Sequence, residues 1–366
     1  MAEPGDLRLH RYPQSKSVDA VRWLPSASAF GRLVAVAVHD PDADPAAASA
    51  LEIHSLSPTQ ATSPLCLRSS WPSPSRIAAL RASHLPHNPL AAAAAASTLG
   101  GSLHLLLVDL VNGAVDTELS ISGDRSFHAG PVTGLDMQIG GGECVTAGED
   151  GRVNVVGAGE GRMEHRRVHD SNGLASYTAA RWGSPAEFAT GGVGFGVRWW
   201  DQRKPEGLVA QFKGSWGRGS VTGMVHSIDI HPSRKHICIV GGSSGTVFAW
   251  DLRWQQQPIL LSGVGLNGTD QPVSESEVWE VQYDSYTQSS GITSAPSTKI
   301  LPVMVCSEDG ILAVLEQGED PVELLAEPCA INAFDIDPQN PSDVVCALEW
   351  ESMAILSRGR DVVAIQ

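Results

Sequence analysis

The chain has 366 residues, room for a large core and one to three domains, and carries 41 acidic against 25 basic side chains, a formal net charge of −16. That balance argues against phosphate as the main partner, since phosphate affinity rests on clustered lysine and arginine, so no direct nucleic-acid contact is expected. No uncharged apolar run approaches the roughly 20 residues a bilayer span needs, and no membrane insertion is expected.

Glycine (37) and proline (23) are plentiful while only 18% of residues are charged, which suits many short strands joined by tight turns. The six cysteines (Cys66, Cys144, Cys238, Cys306, Cys329, Cys346) contain no CxxC pair, and no signal peptide precedes them. They read as buried reduced thiols of a soluble intracellular chain.

In chain order, residues 7–12 alternate like a strand. Residues 17–23, 33–38 and 51–56 follow as strands, with HDPDADPAAASA an enlarged surface loop between the last two. A second group comprises residues 77–82, the alanine run 91–96 and residues 103–109. Six alanines favour helix by propensity, but the run is too short to be stable alone and its place in the pattern calls for a strand. Residues 132–137, 144–147, 153–156 and 162–169 form a third group, and 177–182, 187–190, 197–201 and 208–213 a fourth. The fifth is the plainest: residues 225–231 alternate, 237–240 are apolar, 246–250 close on Trp250-Asp251, and 258–262 lie outermost. A sixth takes residues 278–284, 303–306 and 311–315, with a Ser/Thr-rich loop over 285–299, and a seventh takes 331–337, 344–348 and 352–357.

The fourth and fifth groups share a register. Gly191, Gly192, Val197, Trp200, Asp201 and Arg203 recur 50 residues later as Gly241, Gly242, Val247, Trp250, Asp251 and Arg253. Two glycines and a WDxR ending in step are the signature of a repeat whose unit is one four-stranded propeller blade. First strands start near 18, 77, 132, 177, 227, 278 and 331. The spacings exceed the roughly 40–45 residues of a minimal blade, and the excess is loop insertion. The expected fold is all-β: one seven-bladed WD40-type β-propeller over residues 1–366, closed by residues 7–12 as the outer strand of blade seven, with residues 360–366 the competitor for that place.

No catalytic constellation stands out. The glycine string over 191–196 lacks GxGxxG spacing and a following helix, so it reads as a turn. The histidines include no HExxH motif, and His165 and His169, four residues apart, fall on an exposed basic outer strand; GGSSG over 241–245 has GxSxG spacing but reads as a turn between two strands. No enzyme activity, metal or cofactor is expected. Asp150 and Asp309 precede a glycine at the same turn, where a capping role explains them. Blade three offers Asp150, His128 and Thr146 for a WD hydrogen-bond network but has Val156 where the tryptophan belongs. In blade six Asp309 has only Val305 and Leu315 at the matching places, so packing must hold the blades, with Trp200 and Trp250 between them.

The stretch over 225–253, with VWEVQYD (278–284) and VCSEDG (305–310), resembles the WD-repeat nucleoporin forty-three family. The similarity is strongest from about Gly148 to Gly310, and blades one and two match mainly in layout. The resemblance implies a seven-bladed propeller in the Y-shaped scaffold of the nuclear pore, at the nuclear envelope. It also implies a place on the short arm, against a helical solenoid nucleoporin and near another small propeller. On this reading Tyr177, His226 and Trp279, at the starts of first strands, open toward one rim as a protein-binding surface, flanked by the 263–277 connection. The alternative rests on Trp200-Asp201-Gln202-Arg203 and Trp250-Asp251-Leu252-Arg253. Tandem WDxR endings resemble those of substrate receptors of cullin-RING ubiquitin ligases, in which Arg203 and Arg253 would engage the ligase adaptor. The bland account of those arginines is pairing with carboxylates of neighbouring blades.

Overall fold

The computed structural model describes residues 7–27, 31–45, 47–56, 65–159, 161–194, 196–204, 207–213, 223–254, 258–262, 273–290 and 299–359. The chain enters through β1 (Leu7–Pro13) and then lays down its blades in order. Blade one is β2 (Ser17–Trp23), β3 (Arg32–His39), β4 (Ser49–Leu56) and β5 (Cys66–Pro72). Blade two is β6 (Ile77–Leu85), β7 (Asn88–Thr98), β8 (Leu103–Asp109) and β9 (Ala114–Ile121). Blade three is β10 (Gly134–Met137), β11 (Glu143–Ala147), β12 (Arg152–Gly159) and β13 (Arg162–Asp170). Blade four is β14 (Tyr177–Ser184), β15 (Glu187–Gly192), β16 (Gly196–Asp201) and β17 (Leu208–Lys213). Blade five is β18 (Val225–Ile230), β19 (Ile237–Gly242), β20 (Val247–Asp251) and β21 (Ile259–Ser262). Blade six is β22 (Val278–Tyr283), the short α1 (Ser285–Ser290), β23 (Val303–Ser307), β24 (Ile311–Leu315) and β25 (Val322–Ala326). Blade seven is β26 (Ile331–Ile336), β27 (Asp343–Leu348) and β28 (Ser352–Arg358).

Each blade is an antiparallel sheet in sequence order, and its first strand touches the first strands of both neighbouring blades in a closed cycle. This is a seven-bladed β-propeller. Blade seven takes its fourth strand from the other end of the chain: β1 pairs with β28 from Leu7↔Arg358 through Pro13↔Ser352. Leu9 packs on the core of blades six and seven and Tyr12 on that of blades seven and one, so the strand also fills both adjoining seams. Closure by residues 7–12 is as expected, and residues 360–366 lie outside the described residues.

The alanine run is a strand because of its size. Ala92, Ala94 and Ala96 face the core shared with blade one, while Ala93 and Ala95 face that shared with blade three. Period-two alternation between two closely packed blades needs small side chains, and here it overrides helix propensity. The recurrent glycines have a similar cause. A Cβ on Gly191 would run into Val225 of the next blade, and one on Gly241 into Val281 and Val278.

Sequence pattern alone missed three outer strands, β5, β9 and β25, whose residues are mostly exposed and so carry little alternation. The 285–299 loop begins as α1, because Asp284 accepts from Tyr286 N (3.1 Å) and the Thr287 hydroxyl (2.5 Å). The same buried carboxylate pairs with Arg358 at 2.7 and 3.0 Å, tying the loop to blade seven. Residues 291–298 lie outside the described residues. Five of the six free cysteines are buried, but Cys66 is exposed on β5, which corrects the uniform expectation.

Candidate interaction surfaces

First strands run outward from one face of the ring, here called proximal, to the other, called distal. Six of the seven share one irregularity near the start: pairing to the second strand skips a residue. The skipped residues are Asp19, Ala78, Thr178, His226, Trp279 and Asn332. A bulge re-aims its side chain out of the alternating pattern. Here most of them reach the following blade. Asp19 pairs with Arg76 (2.7 Å), Thr178 donates to Val225 O, and Asn332 donates to Val18 O (3.2 Å).

His226 and Trp279 form the aromatic member of this set. Their rings lie 4.7 Å apart, and His226 Nε2 meets Glu277 Oε2 at 2.6 Å. Trp279 is half-buried against the core of blades six and seven, and its indole N–H is buried with no partner among the described residues. Residues 273–277 are pinned alongside: Ser274 donates to Asp309 (2.8 Å), Glu308 N to Glu277 O (2.9 Å), and Gly245 N to Ser276 O (2.6 Å). The expected flank over 263–272 lies outside the described residues.

Tyr177 does not join them. It sits one place before the bulge, equivalent to the buried Val225 and Val278, and is itself 3% exposed. Its ring faces His169 (6.3 Å) and the Arg198 guanidinium (5.3 Å). The alternating pattern could not show a one-residue slip that turns adjacent side chains to different environments. His169 is likewise half-buried, its ring 5.2 Å from Trp200, rather than on an exposed strand.

Arg203 and Arg253 lie on the distal face, where third strands end, and are well exposed. Each folds onto the aspartate of its own WD ending: Arg203 on Asp201 at 2.8 and 3.0 Å, Arg253 on Asp251 at 3.0 and 2.7 Å. Arg203 adds Glu187 of its own blade at 3.1 Å. The pairing is within a blade, not between blades as expected. The Arg203 fork holds the Asp201 carboxyl below the usual carboxylate range.

The distal end of the axis carries a polar ring. Three residues past the bulge in the six bulged first strands, and at the equivalent place in β10, stand Arg22, Arg81, Asp136, Arg181, Asp229, Gln282 and Asp335. Four of these accept a backbone N–H from the next blade: Asp136 from Trp182 (2.8 Å), Asp229 from Tyr283 (2.9 Å), Gln282 from Ile336 (3.3 Å) and Asp335 from Trp23 (2.8 Å). Glu280, two positions earlier on its strand, crosses the axis to Arg22 at 2.6 and 3.1 Å. Arg181 bridges Asp229 (2.8 Å) and Asp136 (3.3 Å). Arg81 is served least well, 3.4 Å from Asp136 and 3.7 Å from Glu280. Burial and the neighbouring Arg22 lower its pKa to about 10. Burial raises the Asp335 carboxyl to about 6, against the pull of Arg22. Sequence reading passed over this ring, although a polar residue between apolar neighbours at one fixed place in every first strand was its signal.

Blade three builds its expected network without tryptophan. His128 bonds Asp150 through Nδ1 (3.1 Å) and Thr146 through Nε2 (3.0 Å), and Asn154 Nδ2 meets the same Nε2 at 2.9 Å. In blade six, hydroxyls of Ser274 and Ser307 serve Asp309 in place of a histidine. Among the described residues, no group of three or more His, Cys, Asp or Glu side chains is placed to hold a metal, and no helix is long and apolar enough to cross a membrane.

The fold and these surfaces define a WD-type propeller, a class whose rims and axis serve as docking platforms. No family model matches the chain. It is 57% identical over 364 residues to nuclear pore complex protein NUP43 of Arabidopsis thaliana, covering 96% of this chain and 98% of that protein. It is 28% identical over 199 residues to nucleoporin Nup43 of Homo sapiens, covering 52% of this chain and 43% of that protein, and a similar match is found in Mus musculus. The chain belongs to the Nup43 family of nucleoporins.

Proposed function

We propose that this nuclear pore subunit is a non-enzymatic part of the Y-shaped outer-ring scaffold. On this reading it docks on the helical solenoid nucleoporin of the short arm, beside a neighbouring small propeller, and so supports protein and mRNA transport. The observation that carries the proposal is the 57% identity to a nuclear pore protein along 96% of the chain. The docking residues on this reading are Trp279 and His226, with Glu277 holding His226 at 2.6 Å; Tyr177, expected with them, lies buried against His169 and Arg198. An unpartnered indole N–H beside an aromatic pair suits the anchor of an interface, where tryptophan dominates binding energy.

The test pairs a pull-down with a melt. Trp279→Ala should stay folded and lose capture of the helical nucleoporin by roughly 2 kcal/mol or more. Unchanged capture by a folded variant moves the interface elsewhere. Co-purification separates this reading from the ligase-receptor one: pore scaffold subunits should accompany the chain, and a ligase adaptor should not. Arg203 and Arg253 each commit Nε and one Nη to the aspartate of their own WD ending, which a ligase adaptor would have to displace or share.

A further inference from the structure

The turn between β27 and β28 departs from the repeat on the proximal face, the face of Trp279 and His226. In blades three and six the corresponding turns read Glu149-Asp150-Gly151 and Glu308-Asp309-Gly310. Their aspartates bend back into the blade, Asp150 onto His128 (3.1 Å) and Ala129 N (2.9 Å), Asp309 onto Ser274 (2.8 Å), and their glycines take φ of 80° and 84°. Blade seven has Glu349-Trp350-Glu351 in the same place. Glu349 takes over the capping, accepting from Ala330 N (3.3 Å), and Glu351 holds φ at 50°, a left-handed conformation that favours glycine. Trp350 is 63% exposed, and its ring makes no hydrogen bond, ring stack or cation contact among the described residues. Single exposed apolar side chains are ordinary, but this one stands where the repeat keeps a capping residue.

Backbone bonds join this turn to the Trp279 side of the rim. Glu308 N donates to Glu277 O (2.9 Å), Glu327 N to Gly310 O (2.9 Å), and Glu349 N to Ala330 O (3.0 Å). One edge therefore runs from residue 275 through 308–310 and 327–330 to 349–351, and none of these stretches contains a lysine or arginine. Glu277 meets His226 and Glu327 meets Arg11 (2.7 Å), but the exposed Glu275, Glu308, Glu349 and Glu351 have no ion-pair partner among the described residues. Four unmatched carboxylates repel an acidic occupant, and an apolar one would strip their water without replacing it. We propose, on the docking reading of Trp279 and His226, that this edge receives a basic segment of the helical partner, with an arginine stacked on Trp350. The guanidinium lies over the indole ring and turns its N–H groups to Glu349 or Glu351. Further lysines or arginines of the segment face Glu308 and Glu275.

The experiment uses the full chain and a fluorescein-labelled, end-blocked peptide Gly-Arg-Ala-Arg-Ala-Lys-Gly, with Gly-Gln-Ala-Gln-Ala-Gln-Gly as its uncharged match, read by anisotropy. The basic peptide should bind at least ~10-fold tighter. A chain of net charge −16 draws cations to many places, so the variants decide. Trp350→Ala should weaken the basic peptide ~3-fold or more, one exposed cation–π contact. Glu308→Lys should weaken it ~5-fold or more, while Glu149→Lys, the same change at the same turn position of blade three, should leave it within about twofold. Glu351→Gly should weaken it too while melting at or above wild type, so that this loss cannot come from unfolding. Equal binding of the two peptides, equal loss in the two lysine variants, or full binding by Trp350→Ala overturns the proposal. Capture of the helical nucleoporin separates it from the docking reading. Capture lost by Trp279→Ala but kept by Trp350→Ala and Glu308→Lys overturns the basic-segment proposal alone. Capture kept by Trp279→Ala but lost by the other two overturns the docking role of Trp279 alone and leaves the acidic edge as the receptor.

Discussion

The seam between blades four and five and the seam between blades two and three solve one problem with different materials. In the first, Trp250 lies fully buried with Phe212 (5.7 Å) and Phe248, beside Trp199, Val225 and Ile228. In the second, Leu103, Phe127, Leu135, Cys144 and Val156 make a smaller apolar set, and the His128 network sits against it. One hydroxyl position shows the exchange directly. Thr190 accepts the indole of Trp200 at 2.9 Å, whereas the equivalent Thr146 meets the imidazole of His128 at 3.0 Å. Where the third strand ends in tryptophan, ring area closes the seam. Where Val156 stands instead, Thr146 is left to His128, which Asp150 and Asn154 hold in place. The repeat therefore conserves a position in space, not a residue type, and the two seams should respond to different insults.

Removing residues 1–12 opens the ring at blade seven and strips two seams, because β1 supplies the last ladder and packs on both adjoining cores. We expect the largest loss here, several kcal/mol on the ~1–3 kcal/mol scale of each buried backbone group left unmade. Differential scanning calorimetry reads it, and a truncated chain that melts with the full-length one refutes closure by β1. Trp250→Ala strikes the aromatic seam alone and should cost about 3–5 kcal/mol, seen as a lower denaturation midpoint at an unchanged slope.

Asp335→Asn probes the axial ring through pH. The folded-state pKa of Asp335 is raised to about 6, above the ordinary carboxylate value. Its contribution is therefore present below about 4 and is lost as pH rises through about 6. The asparagine variant should gain on wild type across that window, by an amount on the order of 2 kcal/mol, and a constant difference from pH 4 to 7 would contradict it. His128→Gln sharpens the contrast at the polar seam and should cost about 1–2 kcal/mol at neutral pH. Burial lowers the His128 pKa, against the pull of Asp150, so its support is present above about 6.5 and fades as pH falls through the lowered folded value. The variant should lose that acid sensitivity. Trp250→Ala, by comparison, should leave the pH profile of stability unshifted.

Much of this was readable along the chain. The 50-residue register of glycines and WDxR endings marked the repeat, and the alternating residues 7–12 marked the closing strand. The outer strands β5, β9 and β25 were not readable, because a strand with one neighbour and mostly exposed side chains keeps no burial pattern. The rings of His226 and Trp279 lie 4.7 Å apart on bulge positions, while Tyr177 stands one residue before its bulge and turns into the core, a difference of environment that alternation along the chain does not write.

Local pattern determined the blade count, the ring and its closing strand, because burial on alternate faces writes period two into the sequence and a repeated blade writes it seven times. Only the tertiary structure decided which polar residues meet. Arg22 and Glu280 stand 258 positions apart yet lie at 2.6 Å across the axis, and the side chains of the polar ring come from all seven blades. A closed ring brings the same strand position of every blade to one small circle, so the charge balance there depends on all seven choices together. No single stretch of sequence carries that sum.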